Sequence, residues 1–275
     1  MNEKQDIVEL VKKAVAEGKV INIKTLQQER QLPFVWELDY NGTTSYAVGT
    51  KHNEPRAYTA DISKLMRRVK RVCFEIKPEP HNHEPTKTVQ FETAEKFAHY
   101  LKNCPTPELA AEVGRFVGRL FGYLNPEQTT SGKLPGVDGN ILDVAQEYSR
   151  PIFGLETHEE RYPYLTRIHE NLQTTLVLAE HLPALIPRLL KEMNKTLDQQ
   201  DKTYRMGEQH APPSPQLTND DKLLIERNIL MAYRGLEHLV EEPTLIAAGY
   251  DHFVGPEPTM LTLYQEKGIK IKRIE

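Results

Sequence analysis

The stretch Thr244-LIAAGYDHFVGPEPTMLTLYQEKGIKIKRI-Glu275 decides the reading of the whole chain. An apolar run of strand length enters Gly249-Tyr-Asp-His252, a helical pattern follows, and an alternating run ends at Glu275. The same order occurs far upstream. Thr44-SYAVGTKH enters Gly49-Thr-Lys-His52, DISKLMRRVK reads as a helix, and RVCFEI carries a strand to Glu75. The interval from His52 to Glu75 equals that from His252 to Glu275. The GxxH pattern is weak by itself: 15 glycines and 10 histidines make roughly half an occurrence expected by chance. Gly207-EQ-His210 and Gly235-LE-His238 also match it, one in a polar, Pro-flanked stretch and one inside a helical pattern. Only Gly49 and Gly249 follow strand-length apolar runs. In an open α/β sheet the turn leaving a strand's carboxyl end is where ligands bind, and glycine permits the sharp exit. The expected fold is therefore α/β: two related strand–helix–strand halves forming one central sheet, with a large helical insertion between them.

The clearest local signal lies just before the first motif. Phe34-VWELDY-Asn41-Gly42-TTSYAV alternates apolar and polar residues on both sides of Asn-Gly, the strongest short hairpin signature. Phe34, Trp36, Leu38 and Tyr40 share one face by period two. The second arm delivers Gly49 and His52, so the hairpin register sets where that histidine stands.

Residues 1–32 read as an N-terminal helical extension, with Ile7, Val8, Val11 and Ala14 on one side of a helix over 6–17. Residues 33–275 form the α/β domain, with the insertion over about 90–241. Within the domain, helices are expected at 61–68, 91–103, 107–124, 140–149, 158–179, 181–199 and 220–241, and strands at 69–76 and 151–156. His81 and His83 fall in the Pro-punctuated loop 77–88 and read as solvated. Gly114, Gly118 and Gly122 recur every fourth residue, a face for close packing between helices. Leu134-PGVDG is read as a turn, and Tyr204-RMGEQHAPPSPQLTND as an exposed loop. Thr218-ND is an N-cap signature for the last long helix, with Leu223, Leu224, Ile229, Leu230, Leu236 and Leu239 toward the core and Arg234 on a solvated face.

With 35 basic and 39 acidic residues and a net charge of −4, there is no basic face for nucleic acid and no polybasic membrane patch. The first residues lack the charged n-region and apolar h-region of a signal peptide, and no apolar run is long enough to span a bilayer. Cys73 and Cys104 do not form a disulfide scaffold; Cys73 reads as a small buried residue in a strand, which suits a reducing compartment. A cytoplasmic setting is expected.

Candidate chemistry gathers at strand ends: His52 and His252 just after theirs, Glu75 and Glu156 at the ends of theirs. If these strands are parallel neighbours, all four side chains meet at one sheet edge. Two imidazoles and two carboxylates can hold a transition metal with a position left for water, or activate water without metal. Taken singly, each histidine is better read as a cap or a core hydrogen-bonding group; the duplication favours a site. HExxH, its inverted form, GxSxG, the Walker loop and GxGxxG are absent from the sequence.

Tyr46-AVGTKH, RVCFEI with Glu75, Pro135-GVDGNILDVA, Pro151-IFGLET, Glu226-RNILMA, and Ala247-AGYDHFVG before LYQEKGIKIKRI together resemble the TraB/GumN family over about residues 44–275. Its relatives include the Tiki membrane-anchored proteases, the erythromycin esterases and ChaN-like haem-binding lipoproteins. The resemblance implies a site at His52, Glu75 and His252, with Glu156, Arg227 and Asn228 as further polar positions. It implies a Tiki-like metal-dependent peptidase in which His52, Glu75 and His252 hold a divalent ion, manganese or cobalt first and zinc as the alternative. Glu156 would shuttle a proton or orient a ligand; Arg227 and Asn228 would stabilise an oxyanion or fix a carboxylate. The partner implied is a peptide or small ester substrate; the helical region 157–241 is left open as a lid, a homodimer interface or both. Two other readings stay open: a non-catalytic protein that sequesters peptide, of pheromone-shutdown type, and a metal-independent esterase. Haem binding on the ChaN analogy ranks last. This chain departs from the pattern in Asn53-Glu-Pro after the first motif and in residues 1–32, which have no counterpart there.

Overall fold

Asn41 and Gly42 both take positive φ, 53° and 82°, the two left-handed residues that a tight hairpin turn demands. They join β1 (Val35–Tyr40) to β2 (Thr43–Thr50) with Tyr40 opposite Thr43 and Val35 opposite Val48. The register puts Phe34, Trp36 and Leu38 in the core, as the alternation predicts. The computed structural model describes residues 32–51, 54, 58–78, 106–108, 110–111, 136–164, 166–167, 186–207 and 219–274. Several sequence expectations lie outside these residues: the N-terminal helix, the His81/His83 loop, most of the helices at 91–103 and 107–124 with their glycine face, Cys104, Thr218 and His52.

Beyond the hairpin, the described elements are α1 (Thr59–Met66), β3 (Arg71–Ile76), α2 (Gly136–Glu147), β4 (Ile152–Glu156), α3 (Ile186–Met206), α4 (Asn219–Glu241), β5 (Thr244–Gly249), the short α5 (Asp251–Val254), α6 (Met260–Glu266) and β6 (Lys270–Ile274). A helical segment over 158–164 follows β4. One six-stranded sheet has the order β4-β3-β5-β2-β1-β6. The strands β2, β5, β3 and β4 pair in parallel, while β1 is antiparallel to both β2 and β6.

This topology is α/β, and it draws the two ends of the domain together. β5 lies between β2 and β3, with Thr50 beside Gly249 and Phe74 beside Ala247. Being covered on both faces, β5 reads TLIAAG, a continuous apolar run. Its Leu245 and Ile246 are fully buried, each contributing about 1.5–3 kcal/mol by transfer from water. The two strand–helix–strand units are not equivalent in the sheet. β3 is separated from β2 by β5 alone, whereas β6 lies beyond both β2 and β1, at the edge opposite β4.

Four local expectations are corrected. α2 begins at Gly136, inside the stretch read as a turn, with Gly136 at a φ of 65° supplying the bend as the helix starts. α3 runs to Met206, so Tyr204 is helical and fully buried, not exposed: its ring packs 5.4 Å from that of Phe34 and 5.2 Å from that of Tyr250. On α4, Ile229 is 39% exposed, because the buried stripe runs through Arg227, Asn228, Met231, Ala232, Gly235 and Leu239. Arg234 is not on a plain solvated face but grips Glu160 through both terminal nitrogens, at 2.6 and 2.7 Å. The glycine of the Gly235–His238 match has a packing role: a Cβ there would collide with the Tyr264 hydroxyl.

Candidate active site

Gly49 lies one residue before the end of β2 and Gly249 ends its parallel neighbour β5, so the chain leaves both strands at the same end of the sheet. A side chain at Gly49 would place Cβ 2.9 Å from Phe34 Cβ and 3.0 Å from Tyr250 Cβ, so close packing alone requires glycine there. Gly249 faces the chemistry. Its amide donates to Glu75 Oε1 at 2.5 Å, and an added Cβ would stand 3.0 Å from that oxygen and 3.6 Å from His252 Cδ2.

Glu75, one residue before the end of β3, and Glu156, at the end of the parallel neighbour β4, are both buried, at 8% and 4% exposure. Two buried carboxylates this close repel unless a cation intervenes. Arg227 of α4 intervenes. Its Nε donates to Glu156 Oε2 at 2.9 Å and one terminal nitrogen to Glu156 Oε1 at 2.5 Å, a two-pronged grip. The same terminal nitrogen donates to Glu75 Oε2 at 3.0 Å. Burial alone would lower the Arg227 pKa, but the hydrogen bond to Glu156 and the charges of Glu75 and Glu156 outweigh it and hold the guanidinium more firmly protonated than usual. The Tyr164 ring lies under it, 4.6 Å from the guanidinium carbon. Burial pushes the Tyr164 phenol up, with Arg227 opposing, so it stays neutral.

Asn228 follows Arg227 on α4 and is fully buried. Its Nδ2 donates to the Pro258 carbonyl at 3.0 Å, which turns Oδ1 toward His252 Nδ1, 2.6 Å away. An amide oxygen can only accept, so Nδ1 carries the proton. In the neutral ring Nε2 then bears the lone pair, and it faces Glu75 Oε1 across 3.5 Å. Two acceptors facing one another call for something positive or hydrogen-donating between them: a ring proton, a water, or a metal ion.

The structure thus brings together Glu75, Glu156, Arg227, Asn228 and His252 from β3, β4, α4 and α5. His52 is outside the described residues. Sequence reading missed the Gly249 amide and Tyr164; neither leaves a periodic signal, since a backbone donor has no side chain to read and Tyr164 is one aromatic residue in a helical stretch. The expected divalent ion fits this arrangement in part. His252 Nε2 and Glu75 Oε1 face a common point, and Zn–N and Zn–O bonds of about 2.0–2.2 Å can span their separation. Glu156 is a poor ligand as placed, with both oxygens given to Arg227. Among the described residues no group of three or more His, Cys, Asp or Glu side chains is placed to hold a metal, so His52 would have to complete the set. Among those residues, too, no helix is long and apolar enough to cross a membrane.

Among known families, the model of the TraB/PrgY/gumN family matches residues 34–273. No curated protein and no solved structure matches the chain.

Proposed function

This chain belongs to the TraB/PrgY/gumN family, and from that premise we propose that it is a metal-assisted cytoplasmic hydrolase directing water at a peptide bond. The observation that carries the reading is the opposed pair of His252 Nε2 and Glu75 Oε1, 3.5 Å apart and each held from behind. A divalent ion held by His52, Glu75 and His252, manganese or cobalt before zinc, would supply Lewis acidity and ease deprotonation of water. The chain's own groups do the rest. Asn228 fixes the imidazole tautomer, so Nε2 is the nitrogen presented to the reacting centre. The Gly249 amide and Arg227 orient the Glu75 carboxylate toward that centre, where it accepts a proton from water and returns it to the leaving amine. Arg227 and Glu156 form the charged floor. In this geometry Arg227 fixes both carboxylates and Asn228 holds the imidazole.

The test is turnover of a fluorogenic peptide library by the full chain with manganese, with cobalt and with chelator, alongside metal analysis. His52→Ala, Glu75→Gln and His252→Ala are each expected to lower kcat by about 10²–10⁴. Full activity in all three variants sinks the proposal. One observation favours a second reading, metal-independent ester hydrolysis with His252 as base: Arg227 already supplies a cation to both carboxylates. Turnover of esters that survives the chelator selects it. Saturable peptide binding without cleavage selects sequestration.

A further inference from the structure

Lys51 and Glu54 are buried to 2% exposure each, and the hydrolytic scheme uses neither. They bracket positions 52 and 53, and one helix meets both. Asp201 and Arg205 are one turn apart on α3 and so share a face. Lys51 Nζ lies 2.7 Å from Asp201 Oδ1, a charge pair outside hydrogen-bonding geometry. Arg205 Nε donates to Glu54 Oε2 at 2.9 Å. Between these two pairs the Tyr204 hydroxyl donates to the Gly49 carbonyl at 2.9 Å, and the Lys51 ammonium stands 5.7 Å from the ring centres of both Tyr204 and Tyr250.

α3 therefore grips the end of β2 at Gly49, Lys51 and Glu54. Stability does not account for the charges. Desolvation offsets most of the attraction in a buried ion pair, and apolar side chains of the same shape commonly hold a fold equally well. What a buried pair does supply is one defined arrangement of the segments that carry it.

We propose that α3 is a positioning element for the first motif turn, with Asp201 and Arg205 anchoring Lys51 and Glu54 so that His52 is set against Glu75 and His252. The inference rests on the reading of His52 as a site residue given above. It assigns the insertion helix a part in the site, through the turn it anchors.

The experiment uses the full chain and the double variant Lys51→Met/Asp201→Leu, which replaces one pair by apolar groups of similar size. A second variant, Glu54→Gln/Arg205→Gln, guards against misfolding of the first. The melting temperature is expected to stay within a few degrees of wild type. Amide hydrogen exchange over residues 50–58 is expected to quicken by about tenfold or more, with peptides from β3 and β5 unchanged. With the peptide used above, kcat falls by about tenfold or more while KM holds, the signature of a misplaced reacting group. Unchanged exchange in both variants overturns the inference, and so does faster exchange with kcat intact. Absence of turnover in the wild type would count against the hydrolase reading instead; the exchange comparison then decides alone whether α3 anchors this segment.

Discussion

Arg227 holds two buried carboxylates at once, and its loss is the most costly single change the site offers. Arg227→Gln leaves Glu75 and Glu156 without their shared cation, and breaking such a pair costs about 3–5 kcal/mol. Urea unfolding at pH 7 should show that loss. Arg227→Lys is expected to recover only part, since an ammonium cannot reproduce the fork on Glu156. Gly249→Ala should behave oppositely. Its Cβ pushes against Glu75 Oε1 without demanding an unusual backbone, so activity falls by about tenfold or more while the melting temperature barely moves. Unchanged kcat/KM in that variant would detach Glu75 from the chemistry. The positions of Glu75, Glu156 and His252 were legible in the sequence, because a carboxylate near a strand end and a histidine after a glycine-bounded turn announce themselves by position. The grip of Arg227 was not, since no spacing along the chain reports which carboxylates a helix side chain reaches across 71 and 152 residues.

Among the elements, the helical segment after β4 has its start written in Thr157-His-Glu-Glu160. Glu160 Oε2 accepts from the Thr157 amide at 2.7 Å, and the Glu160 amide donates to Thr157 Oγ1 at 3.3 Å, a reciprocal cap. The same carboxylate takes both terminal nitrogens of Arg234, which also donates to the Leu155 carbonyl at 3.0 Å, so α4 is tied to the end of β4. The Arg234 hydrogen bonds, opposed by burial and aided by Thr157, bring the Glu160 pKa from 4.5 down to about 2. The sign follows directly. The unfolded chain takes up this proton first as pH falls, so the contribution is whole above about pH 5 and is lost between roughly pH 4.5 and 2. Glu160→Gln should therefore lower stability by about 1 kcal/mol at pH 7, the scale of a half-exposed ion pair, and match wild type near pH 2. Thermal melts at both pH values check it; a constant difference would refute the assignment. Element boundaries were the least legible part of the sequence. α3 outruns its predicted end because the buried Tyr204 ring is worth more than the polar residues around it suggest, and packing decides α4's inner face where Ile229 and Met231 look alike in sequence.

At the scale of the whole molecule, the order β4-β3-β5-β2-β1-β6 places the latest of the parallel strands in the middle of the sheet. Until β5 is in place, β2 and β3 have no common neighbour, and the backbone edge each turns toward β5 stays unpaired. The site shares this dependence, because Gly249 and His252 come from the last part of the chain and Glu75 from the first. Repeated sequence made that return visible in advance; the placing of β6 beyond β1 was invisible, because the duplicated pattern sets strand order along the chain and not across the sheet. A cleavable sequence inserted in the Pro212-Pro-Ser-Pro215 stretch separates residues that carry β1 to β4 from those that carry α4, β5 and β6. After cleavage the two pieces should co-elute in gel filtration and keep the melting transition of the intact chain, because β5 remains paired on both sides. Expressed alone, the larger piece should lack a cooperative transition and aggregate through the open edges of β2 and β3. A cooperative melt of that piece on its own would mean the first half closes its sheet without β5, and the argument that the two chain ends build one site jointly would fail with it.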